Sequence, residues 1–255
     1  MKTHDLVQTV LGKDKPRPPV PSPPAPGAAA APAGDPSTVR EAVSAVLATA
    51  VLAVVVSGVY PAAVWGLGQG LFHHRANGSL IVAADGRTVL GSELLGQNFA
   101  GKQYFNPRPS AAGAAGYDPT ASGGTNLGPT SDKLVHGQHK TDADGKPVSD
   151  PSNFDGVTDL VVAYRAANGL RDTDPVPADA VTRSGSGLDP HISVANALWQ
   201  LPRVARERGR PPEEVRRLLD GCTEGRDLGV FGEPRVNTVL LNLALDGRLP
   251  GSAAR

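Results

Sequence analysis

From Ala42 to Tyr60 the chain runs AVSAVLATAVLAVVVSGVY, nineteen residues without a charge. As a helix that stretch spans about 28 Å, close to the roughly 30 Å of a bilayer's hydrocarbon core. The spacing predicts a transmembrane helix. Uncharged sequence continues to Phe72, with Pro61 expected to kink or end the helix and Tyr60 and Trp65 placed as interfacial anchors. A cleaved signal peptide would need a short basic leader, whereas about 41 residues precede this run, so a retained anchor is the expectation. Arg40 on one side faces Arg75 and Arg87 on the other, and this balance leaves the orientation open.

Before the span, nine of the 24 prolines fall between Pro16 and Pro36. That segment has too little apolar surface to offset the entropy of ordering, so residues 1–40 read as a disordered Pro/Ala-rich leader; a proline-motif ligand is the alternative. Residues 41–72 are the helix and its interfacial continuation, and 73–255 one soluble domain. The chain's 25 basic and 25 acidic residues exclude nucleic-acid binding by bulk charge. A single cysteine, Cys222, excludes a disulfide framework and a Cys-rich zinc site.

The domain is expected to be α+β. Asp85-Gly86 between two β-rich runs is a hairpin signal, and Phe105 to Thr130, rich in Gly, Pro, Ser and Asn, reads as a long irregular stretch of functional interest. Val157, Leu160, Val161 and Tyr164 mark a helix capped by Gly169. Asp189-Pro190 reads as N-cap and first turn of a helix with a Val194, Leu198, Leu201 and Ala205 stripe, kinked at Pro202. Glu213 and Glu214 open a short helix with Val215, Leu218 and Leu219. Val236, Val239, Leu240, Leu243 and Ala244 mark the last one.

Catalytic chemistry finds little support. Gly96 to Gln103 imitates a phosphate loop, but Gln103 lacks the magnesium-binding hydroxyl and no helix pattern follows. Ser184-Gly185-Ser186-Gly187 is not a nucleophile elbow; it reads as a flexible turn whose N–H groups can hold an anion. His191 is expected to cap or pack. His73-His74 and His136/His139 have no third ligand set by spacing and read as exposed. Arg203, Arg206 and Arg210 read as a solvated face, and Glu224 and Glu233 as members of local ion pairs.

Eight stretches in order, SGVYPAAVWGLGQ, ANGSLI, GSELLGQNF, YFNPRPSAAG, YDPTASGGTNLGPT, AVTRSGSGLDPHIS, TEGRDLGVFGEPRVN and LNLALD, resemble the KdpC family of the Kdp-type potassium-transporting ATPases over about residues 45–247. The resemblance implies a single-span, non-catalytic subunit of a bacterial plasma-membrane potassium pump. It implies two partners, a channel-like potassium-translocating subunit and a P-type ATP-hydrolysing subunit, besides membrane lipid. The chain itself has neither an Asp-Lys-Thr-Gly-Thr phosphorylation motif nor a Thr-Val-Gly-Tyr-Gly-like filter. The implied role is assembly and stabilisation of the pump, with a proposed catalytic-chaperone effect on ATP affinity. No cofactor is expected to be tightly bound, ATP entering through the complex, and matching nucleotide positions are Ser184, Gly185, Ser186 and Gly187, with Gln200 on the next helix.

The implied placement of the domain is extracytoplasmic, with Tyr104 to Thr130 as the contact surface. Small residues Ala53, Ser57, Gly58, Ala62 and Ala63 suit close packing on other membrane helices. Residues 135–155 read as a polar insertion and the leader as an extension, both departures from the family pattern. A stand-alone membrane-anchored binding or hydrolytic domain is the competing reading.

Overall fold

The computed structural model describes residues 36–150 and 152–249; the leader expectation falls, up to residue 35, outside the described residues. The uncharged run forms α1 (Pro36–Val54), a π turn (Val55–Val59) and α2 (Tyr60–Leu71), continuous over Ser37–Leu71 and long and apolar enough to cross a membrane. None of that helix's apolar window is buried within the chain. Pro61 therefore does not end the helix. Its ring clashes with the carbonyl four residues back and it has no N–H to donate. The wider turn just before it absorbs both defects, with the Tyr60 N–H bonding back to the Val55 carbonyl.

The chain divides into two units, Met1–Ala63 and Val64–Arg255. In the second, α3 (His73–Ala76) leads into an antiparallel hairpin of β1 (Leu80–Val82) and β2 (Val89–Ser92). Its turn is as the sequence predicts: Gly86 has φ 69°, and Asp85 Oδ1 accepts from the N–H groups of Arg87 and Thr88, both at 2.9 Å. After the irregular stretch come α4 (Asp132–His136), α5 (Val157–Asn168) and α6 (Ala178–Val181). α5 starts with the Asp159 carboxylate accepting from the N–H of Gly156 at its N-cap and ends at Gly169 in the left-handed conformation, φ 66°.

The remaining elements build the core. β3 (His191–Ser193) and β4 (Thr223–Glu224) flank β5 (Arg235–Asn237) in an antiparallel sheet, with α7 (Val194–Arg208), α8 (Pro212–Gly221) and α9 (Thr238–Leu245) around it. Phe105, Ile192, Ala197, Val204, Val215, Leu219, Val236 and Leu241 are buried together, and Ile81, Val239 and Leu243 form a second cluster. α9 thus serves both, and is apolar almost all round.

Four sequence expectations are corrected here. Asp189 does not cap α7, because β3 intervenes and Ser193 Oγ takes the cap, accepting from Asn196 N at 3.1 Å. Leu198 is exposed, since the buried face runs through Ala197, Leu201 and Val204 instead. Val236 belongs to β5 rather than to α9, whose N-cap is Asn237. Arg203 is almost fully buried and Arg210 lies beyond the Gly209 cap of α7, so the expected solvated arginine face does not exist as such.

Candidate functional site

Residues 104–130 contain almost no regular structure, only a 3₁₀ turn at Pro119–Ala121, yet Phe105 and Ala112 are completely buried. A buried irregular backbone must find partners for its N–H and C=O groups. Here side-chain amides supply them. Asn242 Oδ1 accepts from Phe105 N and its Nδ2 donates to Phe105 O, both at 2.9 Å. Gln200 does the same for Asn106, accepting from its N at 2.7 Å and donating to its O at 3.0 Å. Two successive residues are therefore clamped as if by a neighbouring strand.

Arg203 completes the clamp. Its Nε donates to Asn168 Oδ1 at 2.9 Å, Nη1 to the carbonyls of Lys102 and Tyr104, and Nη2 to Asn106 Oδ1 and Gln200 Oε1 at 3.0 and 2.8 Å. All five guanidinium donors are used, each on a neutral acceptor. Burial is the main influence on this group and pulls its pKa down. Asn196, Gln200 and Arg203 follow one another at helical spacing on α7, a polar stripe inside an apolar face. That stripe was the available sequence signal, masked by the arginines at 206, 208 and 210.

A second set of contacts joins the stretch to the segment before β3. Arg108 Nη1 pairs with Asp189 Oδ2 at 3.0 Å, and Asp189 Oδ1 accepts from His191 N at 2.9 Å. Burial pushes the Asp189 carboxyl up, but the hydrogen bonds from His191 and Arg108 and the arginine charge outweigh it, leaving the pKa at about 2. Tyr117 Oη donates to Arg108 O at 2.8 Å; its phenol is raised above its ordinary value by burial, with Asp189 adding to the effect. Ser110 Oγ donates to Gly187 O at 2.6 Å. Gly187 sits at φ 69°, and a Cβ there would lie 2.7 Å from the Ala112 methyl, so the turn and the stretch interlock only through glycine. Asn98, Asn106, Arg108, Ser110 and Tyr117 line a cleft of about 360 Å³ on this surface.

Within the Ser184–Gly187 turn, Ser184 Oγ accepts from Gly187 N at 2.9 Å and Ser186 Oγ from Leu188 N at 3.1 Å. Ser186 O accepts from Gly123 N and Ser122 Oγ. Gly185 and Ser186 face solvent, and nothing lies within 4 Å of a Cβ built on Gly185. Gln200, by contrast, is buried with all four hydrogen-bonding positions engaged by Asn106, Asn196 and Arg203, and bonds to none of the turn residues. His191 stands in β3 between Asp189 and Glu224, its Nε2 3.6 Å from Glu224 Oε1 and without a hydrogen bond. Glu224 and Glu233 form the expected local ion pairs with Arg235 and Arg226.

A sequence model of the family described as K+-transporting ATPase, c chain (KdpC) matches residues 42–247. Three relatives, each named Potassium-transporting ATPase KdpC subunit, illustrate the likeness. The one from Koribacter versatilis is 45% identical over 212 residues, covering 83% of this chain and 96% of its own. The one from Caulobacter vibrioides (strain NA1000 / CB15N) is 49% identical over 197 residues, covering 77% and 87%. That from Mycobacterium tuberculosis (strain ATCC 25177 / H37Ra) is 45% identical over 207 residues, covering 81% and 98%.

Proposed function

The chain belongs to the KdpC family of K+-transporting ATPases, and from that premise we propose that it is the non-catalytic subunit of an ATP-driven potassium uptake pump in a bacterial plasma membrane. It assembles and stabilises the complex, joining a channel-like potassium-translocating subunit and a P-type ATP-hydrolysing subunit. The observation that carries this reading is the extent of the family match, which runs from Ala42 inside the apolar helix to Gly247 just past α9. Anchor and domain are thereby one family unit, not an unrelated domain on a generic tether.

Residues 104–130 are the docking surface in this reading. Tyr104 to Asn106 are clamped beforehand by Asn242, Gln200 and Arg203, and Ser110 and Gly123 are tied to the 184–187 turn, so binding a partner does not have to order these residues. The test is affinity capture of the tagged full chain, extracted in detergent from potassium-starved cells. A large polytopic subunit and a P-type ATPase subunit are expected with it. Recovery of the chain alone, from cells shown to express those subunits, overturns the proposal.

In this reading the domain lies outside the cytoplasm. Cys222 is buried and its thiol pushed by burial up to about 11, so it reacts poorly with maleimides at neutral pH. A Ser186→Cys variant should then be labelled by a membrane-impermeant maleimide in intact cells. Labelling only after permeabilisation reverses the placement. A second reading, direct help to ATP binding at Ser184–Gly187, is favoured by the open surface at Gly185 and Ser186. It requires the cytoplasmic side, and there a Gly185→Asp variant should raise the complex's KM for ATP without loss of assembly.

A further inference from the structure

We propose that His139, Asp155 and Asp159 form a binding site for one divalent transition-metal ion of the Zn2+ class, closing the base of the polar loop between His139 and Asp155. One ligand atom from each residue lies within 4.8 Å of the other two. His139 Nε2 is 3.0 Å from Asp159 Oδ2 and 3.9 Å from Asp155 Oδ1. Nitrogen and oxygen ligands about 2.0–2.1 Å from a tetrahedral metal stand about 3.3 Å apart, so the observed separations bracket those of a filled site. Small side-chain rotations close the difference.

The donor set selects the ion. One imidazole with two carboxylates suits a borderline metal such as Zn2+, whereas Ca2+ and Mg2+ prefer oxygen alone. Three protein ligands leave a fourth position for water or a further side chain. His136, three residues before His139, is near enough to act electrostatically on Asp159, and its ring lies 3.8 Å from exposed Asp132. The sequence thus carries HGQH and DGVTD, pairs at spacings three and four, folded against each other.

The fold brings the two pairs together by a close backbone crossing. Gln138 and Phe154 exchange backbone hydrogen bonds at 2.8 Å in each direction. Gly137, at φ 83°, lies where a Cβ would run into the Asp159 carboxylate, and Gly156 where one would strike the Gly137 backbone. On the far side Arg183 lies over the Phe154 ring, 4.2 Å from its centroid, and donates to Asp155 O at 3.0 Å. This holds the Asp155 backbone while leaving its carboxylate to the site. A metal here joins His139 to residues sixteen and twenty further on, and what it would add is stiffness in a loop otherwise held by exposed groups.

The experiment uses the untagged full chain in detergent, stripped with chelator, and titrates it with Zn2+ by calorimetry and with Co2+ by visible absorption. One Zn2+ per chain is expected, with the Co2+ spectrum of a low-coordinate N/O site. His139→Gln and Asp155→Asn should each weaken binding by at least the roughly 10- to 100-fold that loss of an outer-shell partner costs. A His73→Gln/His74→Gln variant should bind as the parent does. Parent binding no tighter than that of His139→Gln, or Ca2+ binding as tightly as Zn2+, overturns the proposal. Because variants can misfold, imidazole resonances of the unaltered chain are followed by NMR as well: Zn2+ must shift those of His139, and unmoved resonances overturn the site.

Discussion

Residues 104–130, rich in Gly and Pro, and residues 138–155, rich in Asp and Pro, are both nearly free of helix and strand in their described residues, yet they are held in opposite ways. The first is pinned from inside. Its partners Gln200, Arg203 and Asn242 lie 94 to 137 residues away in sequence and are buried. The second is held mostly by itself, through Lys140–Asp150 at 2.8 Å, the Asp142 turn onto Asp144 N and Lys146 N, and Asn153 Oδ1 accepting from Lys140 N. These groups are largely exposed and within about a dozen residues of one another. Irregular backbone is therefore not one physical state. What separates a fixed surface from a loose one is whether distant, dehydrated donors and acceptors complete it.

The sharpest way to break this contrast is Arg203→Met. It removes five hydrogen bonds and strands buried acceptors on Asn168 and Gln200 and partly buried ones at Lys102, Tyr104 and Asn106, so a loss of about 3–5 kcal/mol is expected in denaturant titration of the full chain. A loss below about 1 kcal/mol would mean the stretch is not pinned by this side chain. Asn242→Ala should follow, with about 2–3 kcal/mol for stranding the Phe105 N–H and C=O.

Acid tests the same region through Asp189. Its folded pKa of about 2 lies below the ordinary 3.8, so between these values the unfolded chain binds more protons. The stability it contributes, about 2 kcal/mol, is present above pH 4 and lost as pH falls toward 2. Asp189→Asn should flatten that part of the pH profile; an unchanged slope argues against Asp189 as the titrating group. The smallest effect is expected in the other loop. Lys140→Ala should move the thermal midpoint less than any variant above, and raised salt should erase the difference. A shift matching that of Asn242→Ala would erase the contrast itself.

The elements that were legible in the sequence are those whose signals are local. Asp85-Gly86 announces its hairpin, Gly169 its helix end, and the run from Ala42 its helix, because each depends on residues within a few positions. Asp189 misleads for the same reason. Next to Pro190 it has the form of a cap, but Arg108, 81 residues earlier, engages it, and Ser193 caps the helix. Arg203 is the extreme case: its neighbours in sequence point to water, while its five acceptors come from the 102–106 segment, from Asn168 at the end of α5 and from Gln200 of its own helix. Of the nucleotide positions, Gly185 and Ser186 are on the surface, Ser184 and Gly187 are buried, and Gln200 belongs to the clamp. Apart from its place in the stripe of Asn196, Gln200 and Arg203, nothing local distinguishes a glutamine that meets solvent from one that replaces a strand.

The π turn at Val55–Val59 has a geometric effect beyond tolerating Pro61. A regular helix advances about 100° per residue, and a turn closed five residues back takes in one residue more than usual. Everything after it is wound back by about 100°. In an unbroken helix Ala62 would stand about 180° around the axis from Ala53; with the extra residue taken up it returns to about 80°, on the side of Ser57 at about 40°. The turn acts as a phase corrector, bringing three small side chains separated by an irregular spacing into one sector of the rod about 80° wide.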